Sequence, residues 1–234
     1  MTWAGRLLVV IPALNEQESI AAVISDVRSS LPLADVLVVD DGSRDDTGVR
    51  AELAGAVVAR LPYNLGVGGA MRLGYRYAVE RGYDAVAQID ADGQHDPSFV
   101  PRMLDRLDAG ANLVVGSRFA GVGEYRLRGP RRWAMTVLSA VLSRAAGTTL
   151  NDTTSGMRVC DRQVATVFAR QYPVEYLGDT VETLMMAARR GFRIEQEPVA
   201  MRYREHGRPS HHPVKATVYL GRAFVVLILS TIRR

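Results

Sequence analysis

The chain has 234 residues, of which 47% are hydrophobic and 23% are charged, which is enough to bury the core of one large α/β domain. Its single cysteine, Cys160, excludes an internal disulfide, and no signal peptide precedes the first strand-like run, so we expect a reducing, cytosolic setting. The net charge of +4 is uneven, because residues 1–117 carry 10 basic and 16 acidic side chains whereas residues 118–234 carry 19 and 9. A basic carboxyl half fits phosphate groups, nucleic acid or an anionic membrane face, and charge alone does not choose among them.

Two kinds of segment alternate over the first 117 residues. Short apolar runs rich in valine are typical of buried parallel strands, and runs with helical spacing lie between them. The predicted strands are 6–12, 35–40, 56–61, 83–90 and 112–117, and the predicted helices are 16–31, 44–53, 67–82 and 96–110. The last helix has Asp96 at its N-cap position and Pro97 at its first position. This alternation predicts a doubly wound, mostly parallel α/β sheet with ligands beyond the carboxyl ends of its strands.

The pattern changes after residue 117. Residues 118–132 are rich in Gly and Arg without clear periodicity, which predicts a long functional loop. Residues 133–147 read as an apolar helix shorter than the ~20 residues that span a bilayer, so it either packs in the core or lies on lipid. The terminal segment 213–234 ends in two arginines and has the composition of a membrane-surface or packing helix.

Polar clusters follow three of the predicted strands, at residues 12–16, 40–43 and 90–92. One acidic residue at a strand end is commonly a helix cap, but three clusters at one edge predict a ligand site. Asp90 and Asp92, one residue apart on an extended strand, would point the same way and share a cation. Their hard oxygen ligands favour Mg²⁺ or Mn²⁺, which take further ligands from water and substrate phosphates. Gln94 offers another carbonyl oxygen, and His95 stays open as a ligand, a phosphate donor or a turn residue.

A diphosphate leaving group would explain such a cation, because the cation stabilises the charge that develops as the bond breaks. Asp40 and Asp41 would then accept hydrogen bonds from ribose hydroxyls or base N–H groups, and Glu16 could do the same. The only glycine-rich turn, residues 66–71, lacks a third glycine and follows the third strand, which argues against a nicotinamide cofactor.

Seven motifs taken in order resemble those of the family-2 glycosyltransferases with the GT-A fold, and within them the polyprenyl-phosphate branch that includes the dolichol-phosphate-mannose synthases. They are PALNE, VVDDGSRDDT, NLGVGGAMRLGY, IDADGQHDP, VVGSRF, NDTTSGMRV and RYREHGRPS, and the resemblance covers roughly residues 6–215. The resemblance implies an inverting, metal-dependent enzyme that moves a hexose from a UDP- or GDP-sugar to a polyprenyl phosphate, peripherally bound at the cytoplasmic face of the plasma membrane. It also implies a glycosyltransferase domain over 1–212, with a nucleotide-binding half (1–117) and an acceptor half (118–212), followed by an amphipathic helix over 213–234.

The same resemblance implies a role for each matching residue. The nucleotide pocket would be lined by Pro12, Asn15, Glu16, Asp40, Asp41, Asp90 and Ala91, and the metal would be held by Asp90, Asp92 and Gln94. The acceptor and its phosphate would meet Ser117, Arg118, Arg131, Ser155, Arg204 and Ser210. The catalytic set would be Asp92, Arg118, Arg131 and Asp152. His211 stands where the family carries a lysine after the serine of the last motif.

The chemistry of the acceptor decides whether a general base is needed. A phosphate monoester carries about −1.5 to −2 charge near neutral pH, so it attacks the sugar carbon without losing a proton, and arginines are the side chains that pair with such a dianion. Direct in-line attack would invert the anomeric carbon. A hydroxyl acceptor would instead need a base, for which Asp152, Glu182 and Asp179 are the candidates.

Four other interpretations remain at this point. A soluble family-2 transferase could act on a glycan or a small hydroxylated acceptor. A phosphohydrolase with Asp90 as nucleophile would need a threonine after the acidic pair and a distant lysine, but Gly93 follows the pair and Lys215 is the only lysine. A nucleotide-binding regulator would not need both Asp90 and Asp92. Nucleic-acid binding is disfavoured because the sequence has no motif for nucleic-acid recognition. The amphipathic helices could reach the membrane alone, or with a second copy of the chain or a separate membrane protein.

Overall fold

The computed structural model of the protein describes residues 3–118, 139–173 and 178–202. The strands are β1 (Leu7–Ala13), β2 (Asp35–Asp40), β3 (Val57–Arg60), β4 (Ala85–Gln88), β5 (Leu113–Ser117), β6 (Arg158–Asp161) and β7 (Ile194–Pro198). The helices are α1 (Ile20–Ser30), α2 (Thr47–Leu53), α3 (Gly66–Glu80), α4 (Val100–Asp108), α5 (139–146), α6 (Arg162–Gln171) and α7 (Gly178–Arg189). A short 3₁₀ turn, Pro97–Phe99, precedes α4.

All seven strands form one sheet in the order β3-β2-β1-β4-β6-β5-β7. Every pairing is parallel except those of β6, which runs antiparallel between β4 and β5. The predicted doubly wound, mostly parallel sheet is therefore confirmed, and its first five strands lie where the valine-rich runs placed them. Strands β6 and β7 were not predicted, because each has only four or five residues and carries charged side chains.

Strand alternation divides the core into two layers. Leu7, Val9 and Ile11 face a cluster that contains the buried sides of α1, α2 and α4, whereas Leu8 and Val10 face α3, α6 and α7. The second layer is tight where α3 crosses β1, since a Cβ on Gly74 would lie 2.5 Å from Val10 Cγ1. The absence of a side chain at Gly74 thus sets how closely α3 approaches the sheet.

The expectation that Asp90 and Asp92 lie on an extended strand was wrong. Pairing of β4 with β6 ends at Gln88, opposite Arg158, and the chain turns at Ala91 and Asp92 before Gly93 takes a φ of 76°. At the edge of a parallel sheet the chain has to turn away from the strand direction, and the positive φ of Gly93 permits this turn. The predicted N-cap is confirmed, because Asp96 accepts a hydrogen bond from Ser98 N at 3.0 Å.

The part of the chain beyond residue 117 is described in pieces. Helix α5 covers the second half of the apolar segment predicted at 133–147, and its Leu142 is fully buried in the second core layer. This part of the segment therefore packs on the protein. In the loop predicted at 118–132 only Arg118 is described, and the segment 213–234 lies outside the described residues. Among the helices of the described ranges, none combines the length and the apolar character that crossing a bilayer requires.

Candidate active site

The sheet topology brings polar motifs of the described residues to one edge. Strands β1, β2, β4, β5 and β7 run parallel and end there, and because β6 is antiparallel, the segment 151–157 that precedes it lies at the same edge. The contacts between these loops are direct: Gly116 N donates to Met157 O at 2.9 Å, and Val199 N donates to Ser117 O at 3.1 Å. The edge predicted to hold ligands is therefore built from six separate stretches of the chain.

The loops after β1 and β2 are joined by hydrogen bonds that use two of the expected nucleotide residues. Asn15 has a φ of 55°. Its backbone N–H donates to Ser43 Oγ at 3.0 Å, and its side-chain Oδ1 accepts from Arg44 N at 2.8 Å. Glu16 N donates to Thr47 Oγ1 at 2.8 Å. Asn15 is thus occupied in shaping the loop, and Pro12, at the end of β1, is half-buried beneath it.

Asp40 and Asp41 are both buried at the end of β2, where each accepts a backbone N–H. Asp40 Oδ1 accepts from Ser43 N at 2.9 Å, and Asp41 Oδ1 accepts from Leu65 N at 2.7 Å. Burial raises the pKa of Asp41 above its ordinary value, backbone hydrogen bonds from Leu65 and Gly66 oppose this, and the charge of Asp40 adds to the rise. These bonds hold the two carboxylates at the positions predicted for nucleotide recognition.

The cluster after β4 is organised around Asp90. Its backbone N–H donates to His95 Nδ1 at 3.0 Å, and its Oδ2 lies 3.6 Å from His95 Nε2. Asp92 Oδ1 accepts from Gln94 N at 3.0 Å, which closes the turn. His95 is buried, with 4% of its surface exposed, so its imidazole contacts Asp90 from inside the protein.

The donor set of this cluster fits a divalent cation that takes its other ligands from substrate. Within the described ranges no three His, Cys, Asp or Glu side chains group closely enough to enclose a metal. Two carboxylates and the Gln94 amide supply only hard oxygens, as Mg²⁺ and Mn²⁺ prefer when waters and phosphates complete the shell. Gly156 keeps space open beside Asp90, because a Cβ there would lie 2.8 Å from Asp90 Oδ2.

Arg118 and Asp152 form a two-pronged ion pair at the end of β5. Arg118 Nε donates to Asp152 Oδ2 at 2.6 Å and Nη2 donates to Oδ1 at 2.8 Å, while the Arg118 amide also donates to Oδ2. Asp152 is completely buried, and its Oδ1 accepts from Thr154 N as well. Both oxygens of this carboxylate are therefore occupied, which is the arrangement of a group that orients an arginine.

Three buried hydroxyls near this ion pair have no hydrogen-bond partner within the described part of the chain. They belong to Ser117, Thr153 and Ser155, each at most 1% exposed. An unpaired hydroxyl is costly to bury, so such a group commonly marks a place where a ligand or water completes the bonding. Ser117 and Ser155 were expected near the acceptor, whereas Thr153 was missed although it lies in the same NDTTSGMR motif.

Arg158 is a second feature that sequence reasoning missed. It is 2% exposed, and its guanidinium donates to Ser155 O at 3.0 Å, Thr183 Oγ1 at 2.6 Å and Thr180 O at 3.0 Å. It therefore ties the segment before β6 to helix α7. The available signal was an arginine between Met157 and Val159, inside an otherwise apolar run.

The remaining expected residues fall at or beyond the limits of the described chain. Arg131, Arg204 and Ser210 lie outside the described residues, as does the side chain of Asp179. The chain approaches the last motif beside the Asp90 cluster, because Met201 bridges to His95 and Arg202 N donates to Gln94 O at 2.9 Å. The Arg202 guanidinium also pairs with Asp96 at 3.1 Å.

Two relatives align with most of this chain. A polyprenol monophosphomannose synthase of Mycolicibacterium smegmatis is 34% identical over 215 residues, which cover 86% of this chain and 79% of the relative. An undecaprenyl-phosphate mannosyltransferase of Micrococcus luteus is also 34% identical, over 86% of both chains.

Solved structures agree with the fold. Glucosyl-3-phosphoglycerate synthase from Mycobacterium tuberculosis, in complex with Mn²⁺, UDP and phosphoglyceric acid, superposes with a TM-score of 0.70 at 26% identity, covering 97% of this chain and 78% of that chain. A complex of the same enzyme with Mg²⁺ and UDP gives a TM-score of 0.71, covering 97% of this chain and 79% of that chain at 27% identity. The family model for glycosyl transferase family 2 matches residues 8–168. With a GT-A-like sheet and polar motifs converging on its carboxyl edge, the chain belongs to the family-2 glycosyltransferases and is a nucleotide-sugar transferase.

Proposed function

We propose that this enzyme transfers a hexose-type sugar from a nucleoside-diphosphate sugar to a polyprenyl phosphate, with inversion at the anomeric carbon. Two relatives at 34% identity are named for mannose transfer to such lipids. The structural observation that carries the proposal is the contact between Gly156 and Asp90, since a Cβ on Gly156 would lie 2.8 Å from Asp90 Oδ2. The segment that holds Arg118 through Asp152 therefore lies directly against the acidic cluster.

The donor side of the site consists of the loops after β1, β2 and β4. Pro12, Asn15, Glu16, Asp40, Asp41 and Ala91 line the nucleotide pocket in this proposal, while Asp90, Asp92 and Gln94 hold Mg²⁺ or Mn²⁺. When bound, the cation neutralises the charge that develops on the diphosphate leaving group. The chain's own contribution is to hold Asp90 and Asp92 in a closed turn, so that little reorganisation accompanies substrate binding.

The acceptor side is cationic. Ser117, Arg118 and Ser155 meet the lipid phosphate together with Arg131, Arg204 and Ser210. Arg118 is pre-oriented because Asp152 fixes its Nε and Nη2 atoms. A phosphate nucleophile has no proton to lose, so Asp152 acts by positioning Arg118, and its two occupied oxygens suit this role better than that of a general base.

The first residue of the last motif supports a role for this motif near the diphosphate. Arg202 is anchored next to Gln94 and Asp96. In this proposal Arg204 and Ser210, later in the same motif, act on phosphate groups at the site.

The acceptor defines where the enzyme works. A polyprenyl phosphate is confined to a bilayer, so the catalytic edge operates at the membrane surface, in our proposal at the cytoplasmic face of the plasma membrane where nucleotide sugars are present. The excess of basic residues after residue 117 favours attachment to anionic lipid. The amphipathic segment 213–234 is the proposed contact, alone or with an oligomeric or membrane-protein partner.

A donor screen tests the proposal. The purified protein is incubated with UDP- or GDP-hexoses, a short polyprenyl phosphate, and Mg²⁺ or Mn²⁺, and radiolabel in the organic extract is counted. We expect label in the lipid fraction with one donor class, dependent on the cation and absent with the matching polyprenol, which lacks the phosphate. Label that enters only a soluble glycan or small hydroxyl acceptor would instead favour the soluble family-2 alternative.

A further inference from the structure

His95 is a buried group for which the proposed function has no assigned role. Its Nδ1 accepts the backbone N–H of Asp90 at 3.0 Å. A ring nitrogen that accepts a hydrogen bond carries no hydrogen, so in the neutral imidazole the hydrogen is on Nε2. The Asp90 backbone therefore selects the tautomer of His95.

The other side of the ring faces the Asp90 carboxylate. His95 Nε2 lies 3.6 Å from Asp90 Oδ2, which is longer than an ordinary hydrogen bond but within the range of an electrostatic contact. The imidazole thus contacts Asp90 twice, at its backbone and at its carboxylate. Since the side chain of Asp90 remains 37% exposed, the carboxylate can meet a ligand on its open side.

Gly156 borders the same two groups. A Cβ at this position would lie 2.8 Å from Asp90 Oδ2 and 3.3 Å from His95 Cε1. A side chain would therefore displace the carboxylate, the ring or both. The backbone of His95 is fixed from the opposite side by its bridge to Met201 and by the bond from Arg202 N to Gln94 O.

We propose that His95 is a positioning residue that, as the Nε2–H tautomer, fixes the direction of the Asp90 carboxylate toward the divalent cation, with Gly156 as the open wall that permits this orientation. The inference rests on the proposed function, because it requires that Asp90 binds a cation with the nucleoside diphosphate. Partners that orient a metal ligand typically change metal affinity 10- to 100-fold when they are removed.

Two substitutions separate the contacts of the ring. His95→Asn keeps an acceptor near the position of Nδ1 and removes the donor, whereas His95→Gln keeps a donor near the position of Nε2. Binding of Mn²⁺ is measured by electron paramagnetic resonance of the free ion, with the full-length protein and with UDP or GDP present. We expect His95→Asn to weaken Mn²⁺ binding about 10- to 100-fold and His95→Gln to retain most of the affinity.

The outcomes distinguish this inference from the function on which it rests. Unchanged Mn²⁺ affinity in His95→Asn, or equal losses in both variants, would overturn the positioning role while leaving the metal-dependent transferase intact. If the unsubstituted protein binds no Mn²⁺ with either nucleotide, both the metal site and the role of His95 are wrong.

Gly156→Ala provides an independent arm that leaves His95 in place. The added methyl group is expected to weaken Mn²⁺ binding as His95→Asn does. Gly82→Ala is the control for lost stability, since Gly82 has a φ of 75° and nothing lies within 4 Å of a Cβ there. An unchanged Mn²⁺ affinity in Gly156→Ala would contradict the claim that the missing side chain at Gly156 permits the orientation of the Asp90 carboxylate.

Discussion

The guanidinium of Arg118 and the carboxylate of Asp152 meet in two parallel hydrogen bonds of 2.6 and 2.8 Å at the end of β5, with the carboxylate completely buried. This pair links the Gly-Ser-Arg motif to the NDTTSGMR motif, 34 residues later in the chain. The orientation of the Arg118 guanidinium is therefore fixed before substrate binds.

Removing Asp152 should cost stability and acceptor binding together. Asp152→Ala removes the carboxylate that balances the charge of a largely buried guanidinium, for which we expect a loss on the order of 3 kcal/mol in the free energy of unfolding, measured with urea. The KM for polyprenyl phosphate should rise as well, because Arg118 is no longer oriented. Glu80→Gln is the control: it breaks the exposed pair of Arg76 with Glu80 and should change stability by less than about 0.5 kcal/mol. A stable Asp152→Ala variant with normal acceptor KM would contradict this role.

Asp92→Ala should abolish sugar transfer while the fold persists. The side chain is half-buried in the turn at the sheet edge, so its loss removes the proposed cation ligand without opening the core. We expect kcat/KM to fall by at least about 100-fold, with an unchanged circular dichroism spectrum. Asp108→Ala, an exposed carboxylate at the end of α4, should retain full activity. Full activity in Asp92→Ala would remove this residue from the metal site.

Arg131→Ala should act on the acceptor more than on the donor. A lost charge-assisted hydrogen bond to the phosphate costs roughly 1.5 to 3 kcal/mol, so the KM for polyprenyl phosphate should rise by about tenfold or more. The KM for the nucleotide sugar should stay near its original value. Arg132→Ala, at the next position in the sequence, is the matched control. Unchanged acceptor kinetics in Arg131→Ala would contradict the assignment.

Much of the fold could be predicted from local sequence patterns. Strands β1 to β5 were predicted because a buried parallel strand needs a run of apolar residues, and their loops met at one edge because parallel strands end together. Strand β7 escaped prediction because Glu195 and Glu197, which read as surface residues, both pair with Arg106 from α4. That pairing joins residues about 90 positions apart and leaves no local signal.

The candidate site was predictable as a set of positions and less so as a set of roles. The acidic clusters could be placed at the sheet edge because each directly follows a predicted parallel strand. The bonds that Asp40, Asp41 and Asn15 form with backbone N–H groups depend on how three loops fold against one another. His95 likewise bridges to Met201 in the chain after β7, and no local pattern around His95 predicts that contact.

The capping carboxylate Asp96 should make stability depend on pH. Burial raises its pKa, but hydrogen bonds from Ser98 and the charge of Arg202 outweigh this and hold the pKa below its ordinary value of 3.8. The folded state thus binds the proton less readily, so this stabilisation is present above pH 3.8 and is lost as the pH falls through the folded-state value. Asp96→Ala should cost about 1 kcal/mol at pH 7, and the difference in urea unfolding should shrink below pH 3.8. A difference that is constant with pH would contradict the charge-dependent part.

Gly74→Ala tests the close contact between α3 and β1. A methyl group there would lie 2.5 Å from Val10 Cγ1, and overpacking of this kind costs about 1 to 3 kcal/mol. The double variant Gly74→Ala with Val10→Ala should recover part of the loss, since the second change makes space for the first. Losses that simply add in a thermal or urea unfolding series would argue against direct contact.

The position of β6 has a consequence for how this enzyme can be rebuilt. A strand from the part of the chain after residue 117 lies between β4 and β5, which both come from the part up to residue 117. A chimera joined at residue 117 would therefore pair β6 from one parent with β4 and β5 from the other. Side chains that differ between the parents would then meet along both edges of this central strand. Exchange of donor specificity between relatives should succeed by grafting loops at the carboxyl edge, where replacement leaves the hydrogen-bonded ladder of the sheet whole.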